Sequence, residues 1–380
     1  MAERCGAGYV CRASNSGAKA GNINHALQRT STPYVVVLDC DHVPRPQFLE
    51  RTLPLMADER VAFVQTPQYY ANWRRGGISA AAWAQQALFF GAIARGKDAR
   101  GAMFCCGTNV LLRRTALMSV GGFPTGSLTE DFELSVHLHE RGWTSRYVAE
   151  VLAQGLGPED MSSYVSQQQR WARGCLGGAA TALRARLPLR VKAQYLLSSM
   201  YFLSGWTLLA YMSFPIVRIL TGAQPIAAAS ADQFLFHFAP YFVAALGAVT
   251  IAGGGSYTFA GFSLAAANFW IHLRATALAL LRRRGRFVVT PKRGALQRQP
   301  RAVLPGLAVI AVMVGVATYG IVGDRSPSTL NNAAFAVLHA TVLGFGIRYA
   351  LTRRRDADGE REAARRPRQV PDAELAKGPA

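Results

Sequence analysis

Four stretches of about twenty mostly apolar residues, 196–220, 233–251, 303–322 and 331–351, occupy the second half of this 380-residue chain. A helix of about 20 residues crosses roughly 30 Å of hydrocarbon. Within lipid, only helices and closed barrels satisfy their own backbone groups. The chain must therefore join an α-helical membrane part, residues 191–351, to whatever precedes it. Residues 1–190 lack such runs and read as a mixed domain that folds in water.

Charge follows the same division. The formal net charge is +20, but the excess sits at 184–190, 282–301 and 353–377, beside apolar stretches. No nucleic-acid-binding motif accompanies it, so nucleic acid is not an expected partner. The connections 221–232 and 323–330 hold one basic residue, Arg325, whereas 252–302 holds nine and the tail 352–380 eight. Basic loops stay on the cytoplasmic side. The first domain, the long loop and the tail are therefore expected in the cytoplasm of a multi-pass plasma (inner) membrane protein, with the lipid bilayer as a partner. Residues 259–284 read as an amphipathic helix on the membrane surface, and the charged tail as disordered. Six cysteines without a CxxC pair or zinc-ligand spacing are expected to be reduced thiols. The opening Met1-Ala2-Glu3-Arg4-Cys5-Gly6 lacks the apolar core of a signal peptide.

Within the first domain, apolar runs predict strands over 33–38, 61–66 and 103–113, with helices over 21–28, 47–56 and 78–94 between them. Such alternation gives an α/β domain with its ligand crevice at the strand ends. Thr129 is placed to cap a helix from Glu130 to Arg141, with Gly142 as its stop.

Three clusters carry chemistry. Asp39-Cys40-Asp41-His42 follows a buried strand and offers hard oxygen ligands for Mg²⁺ or Mn²⁺ together with nucleotide phosphates; solvated loop acids are the alternative. Asp131 lies in the first turn of a helix, where the dipole favours a carboxylate. It is the candidate general base, although a first-turn acid needs no catalytic role. Gln167, Arg170 and Trp171 share one helix face at i, i+3 and i+4. Arginine pairs with a diphosphate, and indole gives a sugar ring a platform; an interfacial helix beside the membrane would also carry a tryptophan. Lys19, before a flexible Gly21, suits phosphate contacts more weakly.

In this order the motifs resemble those of the processive, membrane-embedded family 2 glycosyltransferases, the family of the bacterial cellulose synthase catalytic subunit. The resemblance rests on Lys19-Ala20-Gly21-Asn22-Ile23-Asn24, Asp39-Cys40-Asp41-His42-Val43-Pro44 and Val64-Gln65-Thr66-Pro67-Gln68. It continues through Phe104-Cys105-Cys106-Gly107-Thr108-Asn109, Leu128-Thr129-Glu130-Asp131, Ala153-Gln154-Gly155-Leu156, the Gln167–Trp171 helix face and Phe287-Val288-Val289-Thr290-Pro291-Lys292. It implies a GT-A-type domain, here without its first strands, that uses a UDP-sugar and Mg²⁺ with inversion and extends a polysaccharide acceptor. By that analogy Asp131 is the base, while Asp39, Asp41 and His42 hold the metal. Lys19, Asp39, Gln167, Arg170, Thr290 and Lys292 bind the nucleotide. Cys106, Glu130 and Trp171 face the acceptor, and Phe287 and Val289 belong to a gating loop within 259–293. The membrane helices would pass the product outward, and an accessory synthase subunit is a further candidate partner.

The family also carries N-terminal membrane helices and strands that this sequence is expected to lack, and a module resembling a cyclic-di-GMP-binding domain is not expected in it either. Two other readings stay open: a synthase of another β-glycan or a glycolipid glycosyltransferase, and a catalytically inactive membrane partner subunit. A transporter is disfavoured, because no acidic residue lies in any apolar stretch.

Overall fold

The computed structural model describes residues 2–223, 231–254, 258–281 and 300–351. Chain order begins with helix α1 (Ala18–Leu27), strands β1 (Tyr34–Val37) and β2 (Val43–Pro44), and the short helix α2 (Phe48–Thr52). Strands β3 (Val61–Gln65) and β4 (Tyr69–Tyr70) then precede α3 (Gly77–Leu88), which passes through a π-helical turn, Phe89–Ile93, into α4 (Ala94–Asp98). Next come β5 (Val110–Arg113), α5 (Arg114–Ser119), α6 (Glu130–Glu140), β6 (Thr144–Tyr147), β7 (Ala153–Gly155) and the long α7 (Met161–Arg184).

The main sheet has the order β1-β5-β3-β6, antiparallel except for the β3–β6 pair. Its centre is β3, Val-Ala-Phe-Val-Gln, buried at every position. A buried strand of this kind needs no alternation of polar and apolar residues. A second sheet, β2-β7-β4, is small but decisive for function. It pairs Val43 with Gln154 and Tyr70 with Gly155, bringing the end of the Asp39–His42 turn against segments more than a hundred and about thirty residues away in sequence.

The expected strand over 103–113 is only partly a strand. Residues 103–109 run irregularly because side chains take their amides: Ser135 Oγ accepts from Cys105 N and Gln65 Oε1 from Cys106 N, each at 2.8 Å. Gly107 and Asn109 then adopt positive φ, at 81° and 55°. The helix expected over 47–56 gives way to a 3-10 turn, Leu53–Ala57, where Pro54 enters. Thr129 occupies the N-cap of α6, yet its side chain makes no capping hydrogen bond.

Beyond α7, α8 (Leu189–Met200) and α9 (Ser204–Thr221) together form one apolar rod of 33 residues, Leu189–Thr221. Helix α10 spans Ala231–Ala252, and α13 (Pro300–Gly323) and α14 (Pro327–Leu351) form a close pair. Between them lie two helices, α11 (Phe259–Ala267) and α12 (Phe269–Leu280), separated at Asn268. The sequence reads as one amphipathic helix there. Instead Asn268 turns its amide onto Leu264 O at 2.8 Å, and α11 and α12 pack against α3, α14, α7 and α9. Among the described residues, three helical segments, Leu189–Thr221, Arg301–Gly323 and Pro327–Leu351, are long and apolar enough to cross a membrane.

Close helix contacts depend on glycine. A β-carbon on Gly178 of α7 would come within 2.5 Å of the Phe132 ring on α6, whereas one on neighbouring Gly177 would meet nothing within 4 Å. The two positions should therefore respond oppositely. Gly178→Ala should destabilise by about 1–3 kcal/mol through overpacking, and Gly177→Ala should stabilise by about 0.5–1 kcal/mol through helix propensity. The thermal unfolding midpoints of the two variants, measured in one detergent, check both signs.

Candidate active site

The turn after β1 is fixed by two hydrogen bonds: Asp39 N donates to Thr108 Oγ1 and His42 N donates to Asp39 O, both at 2.9 Å. This places ligand atoms of Asp39, Asp41 and His42 within 4.8 Å of one another. The His42 side chain is 5% exposed, and its Nδ1 lies 3.5 Å from Asp41 Oδ1. Neither ring nitrogen has a hydrogen-bond partner among the described residues. The ring rests on Gly155, where a β-carbon would come within 2.3 Å of it. Two carboxylates beside a buried, unpartnered imidazole form a donor set that fits a divalent cation. The neighbouring Leu156 N donates to Asp41 Oδ2 at 3.1 Å and orients that carboxylate.

Lys19, in the first turn of α1, ties this turn to the next motif. Its ammonium contacts Asp39 Oδ1 and donates to Gly107 O at 2.6 Å. The positive φ of Gly107 lets the chain pass directly over the Asp131 carboxylate, whose Oδ2 would lie 2.7 Å from any β-carbon at 107. Asp131 Oδ1 accepts from Phe132 N at 2.8 Å. Burial pushes the Asp131 carboxyl up to about 7, and the Glu130 charge adds to the shift. The Phe132 amide, Lys19 and Arg170 pull the other way.

Helix α7 supplies the opposite wall. Asp160 caps it, with Oδ1 accepting from Ser163 N at 2.8 Å and Oδ2 from Ser163 Oγ at 2.9 Å. Gln167, Arg170 and Trp171 all line the same cavity, of about 250 Å³, as Lys19, Asp39, Asp41, His42, Cys106, Glu130 and Asp131. Gln167 Oε1 is buried in the cavity wall near Tyr70. Trp171 also packs beside Phe202 and Ala275, joining the cavity wall to α12 and the turn before α9. Burial drives the Cys106 thiol well above its ordinary range, so it lines the cavity as a neutral group.

The structure thus brings together every sequence-singled residue that it describes. Phe287, Val289, Thr290 and Lys292 lie outside the described residues. Sequence reasoning gave Gln68 no role of its own and passed over Tyr70, Glu159 and Asp160, which also line the cavity. Asp160 could have been found, since an Asp three residues before Ser163 at a helix start is a capping signal. Tyr70, 2% exposed beneath Gly157, carries no such mark.

Comparison with known proteins identifies relatives of the chain. The chain is 32% identical over 342 residues to the cellulose synthase catalytic subunit (UDP-forming) of Komagataeibacter sucrofermentans, covering 84% of this chain and 44% of that protein. It is 32% identical over 338 residues to cellulose synthase 2 of Novacetimonas hansenii, covering 83% of this chain and 21% of that one. The chain thus spans less than half the length of these curated relatives. A solved mannosyltransferase from Pyrobaculum calidifontis, in complex with GDP-Man and Mn²⁺, overlays with a TM-score of 0.46 at 17% identity, covering 70% of this chain and 67% of that one. The family model described as glycosyl transferase family group 2 matches residues 34–271. That match covers most of the α/β domain, the whole cavity except Lys19 and the first helices beyond it, and it makes this chain a glycosyltransferase of family group 2.

Proposed function

We propose that the chain transfers a sugar from a UDP-sugar to the end of a growing β-linked polysaccharide, with inversion at the anomeric carbon, and passes the product through its membrane helices. The observation that carries this reading is one cavity in which a carboxyl raised to about 7 lies between an Asp-Asp-His cluster and a Gln/Arg/Trp helix face. A soluble-facing domain of residues 1–190, a membrane domain of residues 191–351 with its long loop, and a cytoplasmic orientation complete the proposal, supported by the basic loops.

In this reading Asp39, Asp41 and His42 hold Mg²⁺ or Mn²⁺, which when bound neutralises charge on the donor diphosphate. Arg170 and Gln167 bind the same diphosphate, and Lys19 adds a cation at its edge. Trp171 stacks on the terminal sugar of the acceptor, with Cys106 and Glu130 beside it. Asp131 takes the proton of the acceptor hydroxyl as that oxygen attacks the anomeric carbon. The bond from this carbon to the diphosphate breaks, its electron pair leaving with UDP. A base near 7 is well matched to this task, because it is mostly ionised at neutral pH yet still basic enough to accept a proton. Phe287, Val289, Thr290 and Lys292 are assigned to closure over the nucleotide by sequence resemblance.

Four outcomes test this reading. Asp131→Asn should lower transfer by about 10²- to 10⁴-fold while leaving UDP binding intact; unchanged turnover would exclude Asp131 as the base. The base must be ionised, so activity should rise with pH through a midpoint near 7. Glu130→Gln should move that midpoint to lower pH by removing a neighbouring negative charge. Chelating divalent ions should abolish both UDP binding and transfer, with Mg²⁺ or Mn²⁺ restoring both. Equal UDP binding in chelated and metal-supplemented buffer would contradict the metal assignment.

A further inference from the structure

Six carboxylates line the cavity: Asp39, Asp41, Glu130, Asp131, Glu159 and Asp160. Most are already committed. Asp39 is paired with Lys19, and Asp41 accepts from Leu156 N and neighbours His42. Asp131 accepts from Phe132 N, and both oxygens of Asp160 are used by Ser163. Glu130 belongs to the acceptor side of the proposed site. Glu159 has been given no task, and its surroundings are unusually well built.

The segment before Glu159 is clamped by two polar side chains from the other end of the domain. Asn72, 0% exposed, donates through Nδ2 to Gly157 O at 3.0 Å and to Glu159 Oε1 at 3.1 Å. Its own Oδ1 accepts from Gly157 N at 2.8 Å. Ser79, also buried, donates to Pro158 O at 3.0 Å. Gly157 lies flat on Tyr70, with no room for a β-carbon, and Pro158 restricts the backbone further. The backbone at Gly157 and Pro158 is thus held, and Asn72 holds one oxygen of Glu159. Among the described residues, the one hydrogen bond to its side chain comes from Asn72 and goes to Oε1. No cation pairs with it among those residues. A carboxylate offers about four acceptor positions. Glu159 is therefore a preorganised acceptor on the cavity wall with most of its capacity unspent.

Such a group does not suit a diphosphate, because like charges repel. Sugar hydroxyls are the complementary ligand, since each donates a hydrogen bond and an ionised oxygen accepts strongly. The same loop touches the metal cluster through Leu156 and Asp41, which locates it on the donor side of the cavity. We infer that Glu159, held by Asn72 and Ser79, binds hydroxyl groups of the donor sugar and selects the sugar part of the sugar nucleotide. This inference rests on the proposed glycosyl transfer.

The test compares UDP with UDP-glucose, binding each to the full chain in lipid nanodiscs with Mg²⁺, by calorimetry. Glu159→Gln keeps the size of the side chain and an oxygen for the Asn72 amide while removing the charge. The expected result is a loss of about tenfold or more in UDP-glucose affinity with UDP affinity unchanged. UDP affinity doubles as the control for folding. Glu159→Asp, which withdraws the carboxylate by one methylene, should show the same selective loss. Unchanged binding of both ligands overturns the inference, as does an equal loss for both, which would mark Glu159 as a structural residue only. A wild-type chain that binds UDP-glucose no more tightly than UDP overturns it too. A wild-type chain that binds neither would instead sink the glycosyl-transfer reading itself, so the two failures are distinguishable.

Discussion

Where Gly174 and Gly178 face Thr129 and Phe132, α7 approaches α6 so closely that a methyl group at either position would overlap its neighbour. This contact sets the width of the cavity. Asp131 stands at the start of α6, and Gln167, Arg170 and Trp171 project from α7. If the helices moved apart by the thickness of a side chain, Asp131 and the Arg/Trp face would belong to separate surfaces. The buried Thr129 hydroxyl, without a hydrogen-bond partner among the described residues, is the cost of this approach. Its methyl end packs on Gly174, and the hydroxyl makes no capping bond. The first turn of α6 meets its needs otherwise, with the Asp131 carboxylate accepting from Phe132 N.

Electrostatics follow from that geometry. Six carboxylates share the cavity with Lys19, Arg170 and the imidazole of His42. An anionic nucleotide would meet net negative charge there unless a cation accompanied it, which supports the proposed metal dependence beyond the ligand set itself. Burial, and after it the Glu130 charge, raises the Asp131 carboxyl, while the Phe132 amide, Lys19 and Arg170 keep the shift from going further. Lys19 therefore acts on two motifs at once, through a contact with Asp39 and through its effect on Asp131.

Much of the cavity was legible in the sequence because its chemistry comes in short contiguous strings. Asp39, Asp41 and His42 sit on one turn, and Gln167, Arg170 and Trp171 on one helix face, so local periodicity alone groups them. The groups that shape the cavity were not legible. Asn72 satisfies Gly157, 85 residues away, and Gln65 takes the Cys106 amide from a distance of 41 residues. Both look like ordinary loop or strand polar residues until the fold brings their partners in. The irregular path of residues 103–109 was missed for the same reason, since its amides are taken by side chains from elsewhere and an apolar run alone reads as a strand. Asn268, which separates α11 from α12, likewise acts through the packing of neighbouring helices.

Helix α7 also explains why the two halves form one body. Its early turns contribute Met161, Tyr164 and Val165 to a hydrophobic cluster shared with α3, α11, α12, α13 and α14. That cluster contains Tyr69 and Tyr70 from the cavity side and Ala333, Ala336 and Leu343 from the last apolar helix. The cavity wall is therefore continuous with the packed interior of the apolar helices, with no linker between them. A displacement of α12 or α14 must be felt at Tyr70 and Met161, because close-packed interiors transmit strain.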